Sequence, residues 1–170
     1  MNRSAAVLAG LAASLAVAAC GGTSLPEPPP CTPPTPTPVA QSTFAARVAY
    51  IRAAEAGEMQ LAALLADFRQ RYPEGRFYRS TAFREDWVRL AGATGCLVDD
   101  LVALDLPPEA PADELARDVE LEALLAEYQR VFDRGTEAVR QRNTSEYRDF
   151  NREIDRVAVR LREWVDRGLN

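Results

Sequence analysis

Histidine and lysine are both absent from this 170-residue chain, and all 20 of its basic residues are arginines. Without an imidazole, no side chain can act as a histidine-type base near neutral pH, and no Ser-His-Asp or Cys-His arrangement can form. Without lysine, no Schiff base can form with a carbonyl substrate. We therefore predict no catalytic residue, and we do not expect this protein to be an enzyme.

Metal and cofactor motifs are missing as well. Di-iron sites in helical proteins use Glu-x-x-His pairs, and structural zinc needs more ligands than Cys20, Cys31 and Cys96 can supply. Gly92 and Gly95 lie within a helical pattern rather than in a phosphate-binding loop. The formal net charge of −5 argues against nucleic-acid binding, which usually requires a basic excess. We predict no metal, no cofactor and no nucleic-acid partner.

Residues 1–19 have the composition of a secretory signal peptide. Arg3 is followed by an apolar run of small residues that is too short to span a bilayer comfortably. The sequence Val-Ala-Ala-Cys at residues 17–20, followed by two glycines, resembles the lipobox of bacterial lipoproteins. The resemblance implies cleavage before Cys20, addition of lipid to its thiol and acylation of the new amine. The alternative is ordinary cleavage after Ala18, which would leave a soluble secreted protein.

The same resemblance implies a location. Two or three acyl chains anchor a protein stably, whereas one is marginal. Residue 21 is glycine rather than aspartate, which in a Gram-negative cell favours the outer membrane. In a cell with a single membrane, the protein would lie on the outer leaflet of the plasma membrane. We therefore expect an extracytoplasmic, lipid-anchored protein.

Eight prolines occur between residues 25 and 38. Proline fixes φ and favours the extended polyproline II conformation, at about 3.1 Å per residue. We expect residues 20–42 to form a stiff spacer between the lipid and a domain at 43–170. A proline-rich ligand for another domain is the alternative.

From residue 43 onward, apolar residues recur at helical spacing and never alternate as in a strand. Helices are predicted over about 43–71, 81–104, 111–142 and from Asn143, an N-cap with Glu146 in a capping-box arrangement. The first apolar stripe includes Leu64 and the second includes Leu97. The fourth consists of Tyr147, Phe150, Ile154, Val157, Leu161 and Trp164. The pattern predicts an all-α, antiparallel up-down four-helix bundle, although long amphipathic helices can also pair between chains.

The turn at residues 104–109 has the sequence Leu-Asp-Leu-Pro-Pro-Glu. It is similar to a turn that recurs between amphipathic helices in uncharacterised helical lipoproteins of bacteria. The resemblance supports the fold and implies no activity.

Cys31 and Cys96 are the two thiols that remain if Cys20 carries lipid. Export would place them in an oxidising compartment. Cys96 lies in the C-terminal half of the second predicted helix, near where the spacer would arrive, so we predict a Cys31–Cys96 disulfide. Alternatively, Cys31 stays free or joins two molecules, and Cys96 packs at the edge of the core.

Charge is distributed unevenly along the chain. Nine acidic residues lie between Asp99 and Glu122 against one arginine, whereas residues 69–84 contain five arginines against one glutamate. Aromatic residues interleave with those arginines. The predicted anion- or partner-binding tip consists of Arg71, Arg76, Tyr78, Arg79, Arg84 and Arg142. Charges that complement helix dipoles are the alternative explanation. In an antiparallel bundle, we expect the acidic end near the membrane and the basic end away from it.

These observations predict a lipid-anchored interaction or scaffolding module of the cell envelope. Its partners would be the membrane, through its N-terminal lipid, and an envelope protein or anionic envelope polymer. The alternative is a carrier of a small apolar or anionic ligand, held between the helices near Gly57, Gly92 and Gly95. A carrier would need a cavity of roughly several hundred Å³.

Overall fold

The computed structural model describes residues 25–31, 43–73, 80–106 and 109–169, and it has an all-helical domain. The helices are α1 (Thr43–Arg71), α2 (Thr81–Val102), α3 (Ala112–Gln141) and α4 (Thr144–Leu169). These four helices and the lack of any strand within the described residues confirm the predicted all-α class. None of the described helices is long and apolar enough to cross a membrane. The predicted signal peptide and Cys20 lie outside the described residues.

Side chains cap the starts of two helices. Ser80 Oγ accepts the Phe83 N–H at 3.1 Å ahead of α2, and Asn143 Oδ1 accepts the Glu146 N–H at 3.3 Å ahead of α4. Asn143 is thus the N-cap that the sequence predicts. The capping box is not completed as expected, because the Asn143 N–H donates to Ala138 O at 2.8 Å. The backbone of α3 therefore takes the place of the Glu146 side chain.

The connection between α3 and α4 is a tight left-handed turn. Arg142 has a φ of 56°, and its N–H donates to Val139 O at 3.2 Å. Together with the bond from Asn143 to Ala138, this geometry is a Schellman motif. Glycine is the usual residue at this position, because it lacks the Cβ that makes a left-handed conformation costly. Arg142 occupies it here.

The apolar stripes of the helices face one core. All six residues of the predicted α4 stripe are buried. In α2, Val98 is buried while Leu97 is half-buried, and in α1, Leu65 is buried while Leu64 is half-buried. In both helices, the buried residue lies one position after the residue that the sequence predicts. An α-helix has 3.6 residues per turn, so a predicted stripe with steps averaging 3.5 drifts around the helix surface.

Each helix packs against two others: α1 against α2 and α4, and α3 against α2 and α4. The polar contacts that join them include Arg71 with Asp86 (α1 and α2), Trp87 with Thr136 (α2 and α3), Arg160 with Glu127 (α3 and α4) and Arg162 with Glu58 (α1 and α4). The last residues of α1 therefore lie beside the first turns of α2.

Eight aromatic side chains form a continuous cluster in one part of the core. The members of this aromatic cluster are Phe68, Tyr72, Phe83, Trp87, Tyr128, Phe132, Tyr147 and Phe150, with neighbouring ring centroids 5.0 to 6.4 Å apart. Trp87 contacts five of the other rings. Because all four helices contribute to the cluster, it ties them together.

Candidate functional site

Residues 25–31, which we call the proline segment, lie along α2. The Sγ atoms of Cys31 and Cys96 are bonded at 2.10 Å, with the two Cα atoms 5.2 Å apart. Pro28 Cβ lies 2.7 Å from the position that a Cβ on Gly92 would occupy, so a side chain at residue 92 would collide with the segment. Leu25 packs against the core. The segment is thus held by a covalent bond, a close backbone approach and an apolar contact.

A groove of about 320 Å³ lies between the proline segment and helices α2 and α3. Leu25 and Val88 contribute apolar surface to it, and Gln129 and Asp133 contribute polar surface. Gly95 also lines the groove, and the nearest described side-chain atom to the position of a Cβ there, Oε1 of Gln129, is 4.0 Å away. The groove opens to solvent and has the volume of a small-molecule site.

Of the glycines that the sequence associates with a cavity between the helices, Gly57 is a site of close packing, and Gly92 lines the groove but is covered by Pro28. Leu101 Cδ2 lies 2.5 Å from the position of a Cβ on Gly57, and Pro28 covers Gly92. Glycine at these positions allows an apolar side chain or the proline segment to approach the helix backbone. Of the three glycines, only Gly95 has open space beside it.

Arginines gather where α1 and α3 end and α2 and α4 begin. This arginine region comprises Arg69, Arg71, Arg84, Arg134, Arg140, Arg142 and Arg148. Phe83 connects the end of α1 with the start of α4 in this region, because its ring contacts both Tyr72 and Tyr147. Three residues of the predicted tip, Arg71, Arg84 and Arg142, therefore lie in one region. The other three, Arg76, Tyr78 and Arg79, lie outside the described residues.

Arg71 has an internal role in this region. Its guanidinium donates to Asp86 and to Asp67, each at 2.6 Å. The buried Asp86 also accepts from Arg89 and, at 2.9 Å, from Tyr72 Oη. Burial and this hydrogen bond to Asp86 raise the pKa of Tyr72. Arg71 is thus compensated by two carboxylates and joins α1 to α2.

Arg142 and Arg148 are the exposed arginines of the arginine region whose charge is not compensated by a described carboxylate. Both are exposed, and neither forms an ion pair with another described residue. Arg140 differs, because it bonds Glu137 with two nitrogens and so lowers the pKa of that carboxyl. Arg84 is half-buried. Anion binding would therefore begin at the turn between α3 and α4.

Two described aromatic residues near these arginines, Phe83 and Tyr72, pack into the aromatic cluster. Phe83 has no exposed surface, and its ring packs against Phe68 and Trp87. Tyr72 packs in the same aromatic cluster, with ring centroids 5.0 Å from Phe68. Phe83 lies on the apolar face of α2, and Tyr72 follows directly after α1, where its N–H still donates to Phe68 O at 3.0 Å.

The acidic residues concentrate in a second region, which we call the acidic region and define as residues 99–106 and 109–122. Several of these acids bind other helices: Arg47 pairs with Glu114, Tyr50 Oη donates to Asp118 at 2.5 Å, and Arg167 pairs with Glu120 at 2.6 Å. Burial, followed by the hydrogen bond to Asp118, raises the pKa of Tyr50. Part of the negative charge therefore joins α3 to α1 and α4.

Arg117 and Trp164 add a reciprocal contact in the acidic region. Trp164 Nε1 donates to Arg117 O at 2.9 Å, and an Arg117 guanidinium nitrogen donates to Trp164 O at 3.1 Å. The guanidinium lies 5.0 Å from the centroid of the indole ring, within cation–π range. This pair fixes the last turns of α4 against the first turns of α3.

Two buried carboxylates were missed in the sequence. Glu58 accepts from Nε and Nη2 of Arg162 at 3.1 Å, which joins α1 to α4, and Asp86 joins α1 to α2. A signal was present, because each residue falls on an apolar stripe: Glu58 lies four residues after Ala54, and Asp86 lies three after Phe83. Which arginine faces each carboxylate depends on contacts between helices.

Within the described ranges, no group of three or more cysteine, aspartate or glutamate side chains is arranged to hold a metal ion. Comparison of the chain with protein-family models, with curated proteins and with solved structures gives no match. The proline segment with its groove and the arginine region are thus the two candidate sites, and both are judged by their own chemistry.

Proposed function

We propose that this chain is a lipid-anchored protein of the cell envelope that serves as an interaction or scaffolding module. The observation that carries the proposal is the bond between Cys31 and Cys96. Disulfides persist in oxidising compartments and are rare in the cytosol. The bond thus agrees with the export signal and lipobox-like sequence at residues 1–20, which make Cys20 the proposed site of lipidation.

We further propose that the four helices form an antiparallel up-down bundle. Contacts between the end of one helix and the start of the next support this topology, as in Arg71 with Asp86 and Phe132 with Phe150. Arg69 with Asp155 and Tyr50 with Trp164 match the late part of α1 to the early part of α4, and the reverse. The arginine and acidic regions are then opposite ends of the bundle.

In this proposal, the working surface for partners is the arginine region. Exposed Arg142 and Arg148 carry charge that no described carboxylate compensates, and guanidinium groups bind carboxylates and phosphates through paired hydrogen bonds. An acidic envelope protein or an anionic envelope polymer fits this chemistry. The proposed location is the outer membrane of a Gram-negative cell, or the outer leaflet of the plasma membrane otherwise.

Two measurements on the full chain in its native envelope test this function. Mass spectrometry of the N-terminal peptide is expected to find diacylglycerol on Cys20, and a Cys20→Ala variant is expected to leave the membrane fraction. Mild crosslinking and pull-down then compare the wild type with an Arg142→Glu, Arg148→Glu double variant. We expect specific partners to be lost in that variant.

The matched control is an Arg130→Glu, Arg156→Glu double variant. These two arginines are exposed in the middle of α3 and α4, so the control changes the net charge equally outside the arginine region. Partners lost equally in both variants would indicate a general charge effect. Partners retained in both would exclude the arginine region as the working surface.

The groove beneath the proline segment supports a second candidate function, that of a small-ligand carrier. Its volume of about 320 Å³ and its mixed apolar and polar lining fit a small molecule. Gly95→Leu would fill the groove, because residue 95 has open space beside it. A ligand found by native mass spectrometry on the wild type and lost in Gly95→Leu would favour the carrier.

A further inference from the structure

The proline segment and α2 run in the same direction. Pro28 lies on Gly92, and three residues later Cys31 is bonded to Cys96, which is four residues further along α2. Proline at positions 26, 28, 29 and 30 keeps this stretch extended, at about 3.1 Å per residue. Going back from Pro28 to Leu25, the chain therefore advances about 9 Å towards the start of α2.

This direction limits where Cys20 can lie. Cys20 is five positions before Leu25, and that stretch of chain can span at most about 18 Å. Gly92 is about 15 Å from the C-terminal end of α2, so Leu25 is about 24 Å from that end. The N-terminus therefore cannot extend past the acidic region. It can pass the start of α2, which is about 8 Å from the level of Leu25.

We infer that the arginine region faces the membrane that holds the Cys20 lipid, and that Arg142 and Arg148 bind the anionic phospholipid headgroups of that membrane. The inference rests on the proposed lipidation of Cys20, and it names a phospholipid surface, rather than an acidic protein or polymer, as the anionic partner of these two arginines. It reverses the orientation expected from the sequence, in which the acidic end lay nearest the membrane.

The charge distribution supports this orientation independently of the chain direction. An anionic membrane surface attracts arginines that lie within a Debye length of it and repels carboxylates. The acidic region holds nine acids against Arg117 in its own stretch, so turning it away from the membrane avoids that repulsion. Arg142 is exposed in the turn between α3 and α4, where its left-handed conformation is one that favours glycine.

Photo-crosslinking from two positions on one helix tests the inference. The lipidated full chain is inserted into vesicles of phosphatidylethanolamine and phosphatidylglycerol, with p-benzoylphenylalanine in place of Gln141 or of Ala116. Both residues are exposed, and they lie about 38 Å apart along α3. We expect lipid crosslinks from position 141 and few from 116, with a ratio of about fivefold or more.

The arms of the experiment separate its possible failures. Equal yields, or a higher yield from position 116, overturn the inference while leaving lipidation intact. Mass spectrometry of the same samples reports the lipid on Cys20, and its absence overturns the proposed function together with the inference. In vesicles of phosphatidylcholine alone, the preference for position 141 is expected to decline, and an unchanged preference would show that charge is not its cause.

Two variants test separately the two observations that support the inference, namely the direction of the proline segment and the charge of the arginine region. A Cys31→Ser, Cys96→Ser variant frees the proline segment, so the difference between positions 141 and 116 is expected to shrink. Arg142→Glu with Arg148→Glu is expected to lower the yield at 141, whereas Arg130→Glu with Arg156→Glu is expected to leave it unchanged. Circular dichroism confirms that each variant keeps its helices, so that a lost preference is not mistaken for lost folding. Retention of the full preference in both test variants contradicts the inference.

Discussion

The arginine region and the acidic region hold the same four helices together by different means. At the arginine region, the helices meet over the aromatic cluster, with the Asp86 network at its edge. At the acidic region, polar contacts between helices add to the apolar core: Arg47 with Glu114, Tyr50 with Asp118 and Arg117 with Trp164. Aromatic packing depends mainly on shape, whereas the polar contacts depend on protonation and on each partner being present. The two regions should therefore respond differently to cavities and to pH.

The largest expected effect is a cavity in the aromatic cluster. Trp87→Ala removes five ring contacts, and we expect a loss of about 3 to 5 kcal/mol in the free energy of unfolding. Urea unfolding followed by circular dichroism measures it. Leu121→Ala, in the buried part of α3 at the acidic region, is the comparison and should cost less. Equal losses would mean that the aromatic cluster contributes no more to the free energy of unfolding than the core at the acidic region.

Adding a methyl group to the aromatic cluster should lower the free energy of unfolding less than removing a large side chain from it. In Gly135→Ala, the new Cβ would lie 2.6 Å from Cδ2 of the Phe150 ring, a rigid group held by its neighbours, so we expect a loss of about 2 kcal/mol. Gly95→Ala is the control, because its nearest neighbour is 4.0 Å away. That variant should gain up to about 1 kcal/mol from helix propensity. A stabilised Gly135→Ala would contradict the packing argument.

The acidic region should be the more sensitive to hydrogen-bond loss and to alkaline pH. Tyr50→Phe removes the bond to Asp118, and we expect a loss of about 1 to 2 kcal/mol at pH 7. Burial raises the pKa of Tyr50 above its ordinary value of 10, so the fold favours the neutral phenol. That contribution is complete below about pH 10 and is lost as pH rises through the folded-state pKa.

Thermal unfolding between pH 8 and 11.5 measures this alkaline loss, and tyrosine absorbance reports ionisation directly. The chain has no lysine, and a lipidated Cys20 has no thiol to titrate, so in the lipidated chain side-chain titration in this range comes from tyrosine. The melting temperature of the wild type should fall above pH 10, and the decline should be shallower in Tyr50→Phe. Identical slopes for the two proteins would show that Tyr50 is not a source of the alkaline loss. Tyr72, Tyr128 and Tyr147, also raised in pKa by burial, contribute to the remaining slope.

The smallest expected effect concerns Arg142. Glycine adopts the left-handed conformation without the steric cost that a Cβ brings, so Arg142→Gly should stabilise the fold by about 1 kcal/mol. The same substitution should weaken binding at the arginine region. Differential scanning calorimetry measures the first effect and lipid crosslinking from position 141 the second. A destabilised Arg142→Gly would show that the arginine side chain itself supports the turn.

Local chemistry made most of the fold predictable. The predicted limits of α1 agree with the structure, and those of α3 differ by one residue at each end, since prolines and the Asn143 cap act within a few residues. All six residues predicted for the α4 stripe are buried, because aliphatic and aromatic residues on one helix face pack into the core, whereas the buried Val165 was not predicted. The end of α2 lies two residues earlier than predicted, at Val102.

The candidate sites were less predictable because they depend on pairs of distant residues. The packing of α1, α2 and α4 against one another determines that Asp86 compensates the charge of Arg71. The same packing buries Phe83, so that its ring is not available for stacking. The direction of the proline segment depends on Pro28 lying over Gly92, and an extended segment has no periodicity that relates it to a helix. Sequence reasoning therefore found the arginines and cysteines but not the residues that they contact.

The bond between Cys31 and Cys96 also determines how mechanical force enters the domain. A pull on the chain before residue 31 passes through the two sulfur atoms into α2 and bypasses the 64 residues between the cysteines. The first turn of α1 therefore bears no tension and cannot be peeled away from its end. A single peptide cleavage between residues 32 and 42 would likewise leave both pieces covalently joined, so shedding of the domain by a protease would require reduction as well.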